Sequence, residues 1–292
     1  MIKIENYVGV SPEQMEFIIQ GMRNPMNSWE KSDSYVGFDC TACGHIECDG
    51  SCKKGDIERE KCYHYYGFEL GQNDFSLMQK LIKAGTDHRK FMRMIPVYIR
   101  ITAPLYWWKE FDTYKVGTVS NSCSTMHKIQ AKEFTLDDFS IEHLKFKDNS
   151  PIYSEEGKIR LDGNGHTCLT INLLNYWRNQ YLNSKSKDDW WQMIQLLPSS
   201  YNQTRNIMMN YEVLANIYKS RKNHKLDEWK DFCKWIESLP YSELITHDIQ
   251  KEDIQSHSIE DQETIKVYGQ QIPKKDIQNS DSYSDAKFNG EI

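Results

Sequence analysis

The sequence predicts a chain of the α/β (α+β) class, and three observations carry that expectation. Apolar residues recur at helical spacing in several separate stretches. A single β-rich run, with Ile95, Val97, Tyr98, Ile99 and Ile101, stands among them. A dense aromatic run, Leu105, Tyr106, Trp107 and Trp108, follows that strand directly and suits a buried helix face. With 39% apolar and 12% aromatic residues among 292, there is ample material for a core. A formal charge of −6 argues against a general nucleic-acid binder, though not against one nucleotide. No apolar run has the length of a membrane span and Met1-Ile2-Lys3 opens no signal peptide, so the expectation is a soluble, cytoplasmic protein.

The elements follow in order. Residues 12–24 place Met15, Ile18, Ile19 and Met22 on one helical face after a Ser11-Pro12 start. The polar patch after it, with Arg23, Asn24, Pro25 and Ser28, reads as a helix end and turn. Residues 37–66 form a Cys-rich insertion, in which Cys40, Cys43, Cys48, Cys52 and Cys62 crowd into a Gly- and Asp-rich stretch. A C-x2-C pair lets two thiolates grip one tetrahedral ion, and two more close the shell. The expectation is a structural Zn on Cys40, Cys43, Cys48 and Cys52, against an iron–sulfur cluster or a thiol-rich loop as alternatives.

Residues 68–84 read as an amphipathic helix ended by Gly85, and 94–101 as a strand that Pro96 places at an edge or a strand start. Residues 118–125 read as a polar loop headed by Gly117 and containing the small thiol Cys123. After a charged loop, residues 161–165 read as a turn and 169–182 as a helix. Asp188-Asp189 is expected to cap a helix over 190–197. Residues 204–220 read as one helix carrying Asn210 and Asn216, and 226–239 as the last helix of a globular part spanning 1–246. The polar, acidic residues 247–292 are expected to be disordered.

Residues 103–128 resemble the signature region of flavin-dependent thymidylate synthases. Ala103-Pro104, the aromatic helix, Asn121 and Ser124 stand where that family has Ala-Pro, an aromatic segment, Asn and its second Ser. A later stretch, Leu197-Pro198, Asn210, Leu214, Asn216 and Arg221, is similar to the family's late motif of Leu-Pro, Asn, Leu-x-Asn and Arg. Two ordered motifs at the right separation are harder to obtain by chance than one. The departures fall on ligand-facing positions. Thr113-Tyr114-Lys115 replaces the Arg-His-Arg triplet, Glu110 replaces a Gln, Ser122 a Glu and Met126 the last Arg. Ile194 stands for the phosphate-gripping Arg and Glu212 for another Arg, while the link before the strand offers His88 and Arg89 in place of a His.

The resemblance implies a thymidylate synthase-complementing-protein-like fold, a central sheet with a helical half, assembled as a homotetramer with FAD between subunits. The implied reaction is reductive methylation of dUMP to dTMP, with methylenetetrahydrofolate giving the carbon and NADPH the reducing equivalents. On that reading Lys115, Asn121, Asn210 and Asn216 bind the cofactor, while the catalytic candidates Arg221 and Ser124 face the nucleotide. The alternative keeps the fold as a nucleotide-binding or interaction module without that activity.

Overall fold

In the computed structural model the described residues are 2–39, 65–144, 152–153, 159–160, 163–246, 264–267 and 270–273. Two compact units divide the chain, Met1–Thr246 and His247–Ile292. In the first unit the elements begin with β1 (Lys3–Val8), α1 (Pro12–Arg23), β2 (Tyr35–Asp39), β3 (Tyr65–Glu69) and α2 (Gln72–Lys83). They continue with β4 (Pro96–Pro104), α3 (Leu105–Phe111), β5 (Val119–Ser122), β6 (Ile152–Tyr153), β7 (Ile159–Arg160), α4 (Gly163–Ser184) and α5 (Lys187–Leu196). The unit closes with β8 (Asn202–Asn210), α6 (Tyr211–Arg221), α7 (Asp227–Glu237) and α8 (Glu243–Thr246). The second unit is described only as an antiparallel ribbon of β9 (Thr264–Val267) and β10 (Gln270–Pro273), on the stretch expected to be disordered.

A four-stranded antiparallel sheet, ordered β1-β4-β8-β5, organises the first unit. Its inner face follows from strict alternation in β4, where Val97, Ile99, Ile101 and Ala103 are buried while Tyr98 and Arg100 are exposed. Ile207 and Met209 of β8 bury beside them. Over this face lies an aromatic cluster. Trp107 packs edge-on against Trp108 at 4.9 Å, stacks near Phe111 at 5.1 Å and meets Trp229 of α7 at 4.7 Å. Full burial of both tryptophans of α3 accords with the buried aromatic helix read from the sequence.

The opposite face of the sheet carries exposed side chains. Val8, Tyr98, Met208 and Val119 stand in one register row across all four strands, with Val8, Tyr98 and Val119 exposed. A smaller core joins Phe134, Phe139, Leu174 and Met193, with Ile194 and Tyr201 packed against it. Burial and the charges of Asp138 and Cys123 push the Tyr201 phenol up to about 12.

Several local readings change. Residues 204–210 are the end of strand β8 rather than the first turns of a helix, because β8 hydrogen-bonds to β4 on one side and β5 on the other. The helix begins only at Tyr211. Part of the expected polar loop, Val119–Ser122, is the edge strand β5. Phe68 belongs to β3, and α2 starts at Gln72. Residues 163–165 of the expected turn belong to α4, while 161 and 162 lie outside the described residues, and α5 is capped by Ser186 rather than by Asp188-Asp189. Pro96 opens β4, an interior strand, where as first residue it forgoes no ladder bond that the fold needs. The helix over residues 12–24 is present as α1, capped by Ser11 with Gln14 reciprocating.

Candidate functional site

The two stretches that carry the resemblance lie side by side. β5 runs antiparallel to β8 with Val119 opposite Met208 and Asn121 opposite Asn206. Continuing that register brings Gly117 to Asn210, where β8 turns into α6. Gly117 has φ +80°, and a Cβ there would sit 3.0 Å from Asn210 Nδ2 and 3.2 Å from Val213 Cγ2. Only glycine fits both the left-handed backbone and the close approach. Asn210 caps α6, its Oδ1 accepting from the Val213 N–H at 3.0 Å, which leaves Nδ2 without a partner among the described residues.

At the far end of α6 a second junction forms. Arg221 donates from Nε to Tyr114 Oη at 2.9 Å and from Nη1 to Glu110 Oε2 at 2.9 Å. The same carboxylate oxygen accepts from Trp229 Nε1 at 2.8 Å and lies 3.5 Å from His224 Nε2. The guanidinium carbon sits 4.8 Å over the Trp229 ring and 5.7 Å from the Tyr114 ring. Sequence reasoning singled out Arg221 but missed this cluster as a unit. Its one signal was Glu110 standing at the family's Gln; no spacing links it to Trp229.

The remaining candidates are placed as follows. Lys115, Asn121 and Asn216 are exposed, and Lys115 Nζ makes no hydrogen bond or ion pair among the described residues. Ser124 lies beyond the other end of β5, where its Oγ accepts from the His127 N–H at 2.8 Å. The structure therefore brings Gly117 to Asn210, and Arg221 to Tyr114 and Glu110, while among the described residues no hydrogen bond or ion pair joins Ser124 to Arg221. Cys123, the small thiol of the expected polar loop, is exposed. Cys40, Cys43, Cys48 and Cys52 lie outside the described residues. Among the described residues no group of three or more His, Cys, Asp or Glu is placed to hold a metal ion.

Arg205, Arg89 and Arg23 each carry an acidic partner. Arg205 pairs with Asp112 at 2.7 Å, takes Gln203 Oε1 at 2.9 Å and stacks 4.2 Å from the Trp108 centroid. Arg89 pairs with Glu212 at 2.9 Å, so the charge reversal at 212 is met by the basic link before β4. Arg23 is fully structural. Its Nε meets Asp74 Oδ1 at 2.5 Å, and its other nitrogens reach the carbonyl oxygens of Ser28 and Lys31. Burial works to raise the Asp74 pKa, but the hydroxyls of Ser34 and Ser32 and the Arg23 charge outweigh it and hold it below the usual value. A cleft of about 370 Å³ opens beside this pair, lined by Glu16, Gln20, Trp29, Ser32, Ser34 and Phe68.

No family model matches the chain, and no curated protein matches it. Among solved structures the chain is similar to thymidylate synthase X (ThyX) from Helicobacter pylori, crystallised with FAD and dUMP. That match has 15% identity, covers 84% of this chain and 95% of that one, and has a TM-score of 0.49. It is also similar to the UMP/dUMP methylase PolB from Streptomyces cacaoi bound with 5-Br UMP, at 10% identity over 85% of this chain and 95% of that one, with a TM-score of 0.48. Among the described residues no helix is long and apolar enough to cross a membrane.

Proposed function

We propose that this chain is a flavin-binding enzyme of the thymidylate synthase type, acting on the uracil ring of dUMP or a related ligand. The observation that carries the reading is the convergence of its two motifs: Gly117 closes on Asn210, and Tyr114 and Glu110 hold Arg221. The residues present fit FAD. Lys115 offers an uncommitted cation, Asn210 Nδ2 an uncommitted donor facing a position a Cβ would fill, and Asn121 and Asn216 exposed amides. When bound, FAD supplies hydride transfer between NADPH and the pyrimidine, with methylenetetrahydrofolate as the carbon donor. The chain's own part is to orient and to fix charge. Lys115 would neutralise cofactor phosphate, Asn210 and Asn216 would position the flavin, and Arg221, held by Tyr114 and Glu110, would offer Nη2 to a ring oxygen. Ser124 shares no hydrogen bond or ion pair with Arg221 among the described residues, and another copy of the chain would be one way to bring it to the same ligand. A homotetramer, which the resemblance implies, would supply such a copy and would offer the exposed row of Val8, Tyr98 and Val119 a partner.

One observation favours a second reading, the fold kept as a binding or interaction module. Ile194, where the resemblance calls for a phosphate-binding Arg, packs against the smaller apolar core. Absorbance from 300 to 550 nm of the purified chain, with FAD added, separates the two. Flavin bands that bleach with NADPH and respond to a uracil compound support the enzyme. No flavin uptake at micromolar protein overturns it.

A further inference from the structure

We infer that Glu110 determines which pyrimidine this site reads: its free carboxylate oxygen accepts the N3–H of a uracil ring whose neighbouring carbonyl takes Arg221 Nη2. This deepens the proposed function above and rests on it. One half of the Glu110–Arg221 pair is fully committed. Glu110 Oε2 accepts from Arg221 Nη1 at 2.9 Å and from Trp229 Nε1 at 2.8 Å, and His224 Nε2 lies 3.5 Å away. His224 Nδ1 accepts from the Leu226 N–H at 3.2 Å, so the ring proton sits on Nε2 and makes it a third donor toward the same oxygen. Trp229 is fully buried and Arg221 Nε is tied to Tyr114 Oη at 2.9 Å, so neither of those donors is free to turn away.

The other half is open. Among the described residues Arg221 Nη2 and Glu110 Oε1 make no hydrogen bond or ion pair. The two side chains are 18% and 34% exposed, so a ligand can reach them from solvent. A guanidinium only donates and a carboxylate only accepts, so the pair reads an edge on which an acceptor and a donor stand side by side. Uracil carries that edge in a carbonyl oxygen beside N3–H. An amide at 110 would reverse the reading. In Glu110→Gln the amide oxygen takes the Oε2 position, because an NH2 group there would face three donors. The NH2 group then takes the Oε1 position, and the open edge becomes two donors. Two donors oppose N3–H and match cytosine, whose O2 and N3 both accept. Arg221 alone cannot make this distinction, since both bases offer it an acceptor.

The test is isothermal titration of the full chain, preloaded with FAD, against dUMP, N3-methyl dUMP and dCMP at one pH and ionic strength. The native chain is expected to bind N3-methyl dUMP at least about tenfold more weakly than dUMP, because the methyl group leaves Glu110 Oε1 without its donor. That comparison needs no variant and decides the case if Glu110→Gln loses stability. In a Glu110→Gln variant whose melting temperature is retained, the ratio of dUMP to dCMP affinity should fall by at least about tenfold. Equal binding of dUMP and its N3-methyl derivative overturns the inference while the flavin reading stands, as does a ratio unmoved by Glu110→Gln. A flavin ring carries the same imide edge. Weaker FAD uptake by Glu110→Gln with the ratio unmoved assigns the pair to the cofactor and also overturns the inference. The expected pattern in a chain that takes up no FAD supports the inference and sinks the flavin reading. Uptake of neither flavin nor pyrimidine sinks both.

Discussion

Replacing Asp74 by Ala should destabilise the first unit more than any surface change, and the size of the effect follows from the contacts. Asp74 is fully buried and the Arg23 side chain is 4% exposed, so removal of the carboxylate strands a guanidinium in the interior. Breaking a buried pair from one side costs about 3–5 kcal/mol. Oδ2 also accepts from the hydroxyls of Ser32 at 2.7 Å and Ser34 at 2.6 Å and from the N–H groups of Asp33 and Ser34, which together hold the approach to β2. For a unit of this size the loss corresponds to about 6–20 °C in melting temperature. Urea unfolding of Asp74→Ala against the native chain measures it, and Arg23→Met/Asp74→Leu should recover part of the loss because neither charge is left alone. The sign with pH follows from the lowered Asp74 pKa. Its contribution is fully present above the unfolded value of 3.8 and disappears as pH falls through the lower folded value. In Asp74→Asn that acid limb should be flatter. A cost below about 1 kcal/mol for Asp74→Ala refutes the account of the buried pair.

Three further outcomes are expected. Gly117→Ala places a Cβ against Asn210 at a φ of +80° and should cost about 1–2 kcal/mol of stability, with weaker flavin uptake in the absorbance titration. Asn210→Ala removes the cap of α6 and should cost about 1 kcal/mol in urea, a cost that Asn210→Asp should largely avoid. Burial raises the pKa of Tyr201 to about 12 and also raises those of Tyr106 and Tyr211. Their contribution to stability is therefore fully present below pH 10 and should fall as pH rises through 12, with phenolate absorbance lagging that of free tyrosine.

How much of this is legible in the sequence depends on whether the interaction is local. Helix α1 was readable to its ends because Ser11, Pro12 and the Met15, Ile18, Ile19, Met22 stripe lie within one helix. The aromatic helix α3 was readable for the same reason. β8 was not. Ile207, Met208 and Met209 are contiguous apolar residues with no clean alternation, and their strand state comes from ladder bonds to β4 and β5, about 80 to 110 residues away in sequence. The candidate site divides the same way. Motif order pointed to Asn210, Asn216 and Arg221, yet nothing in the spacing shows that Arg221 meets Glu110 across 111 residues or that Arg23 meets Asp74 across 51.

By itself, then, the sequence determined the mixed class, most of the helices and their buried faces, and the two motifs that single out the site. Those are matters of local periodicity and of residue type in order, which a chain carries without folding. Tertiary structure alone decided the sheet order and the acidic partners of Arg23, Arg89, Arg205 and Arg221. Long-range hydrogen bonds and ion pairs have no local signature. Whether a guanidinium is a ligand donor or half of a neutral pair depends on a carboxylate that only folding brings within 2.9 Å.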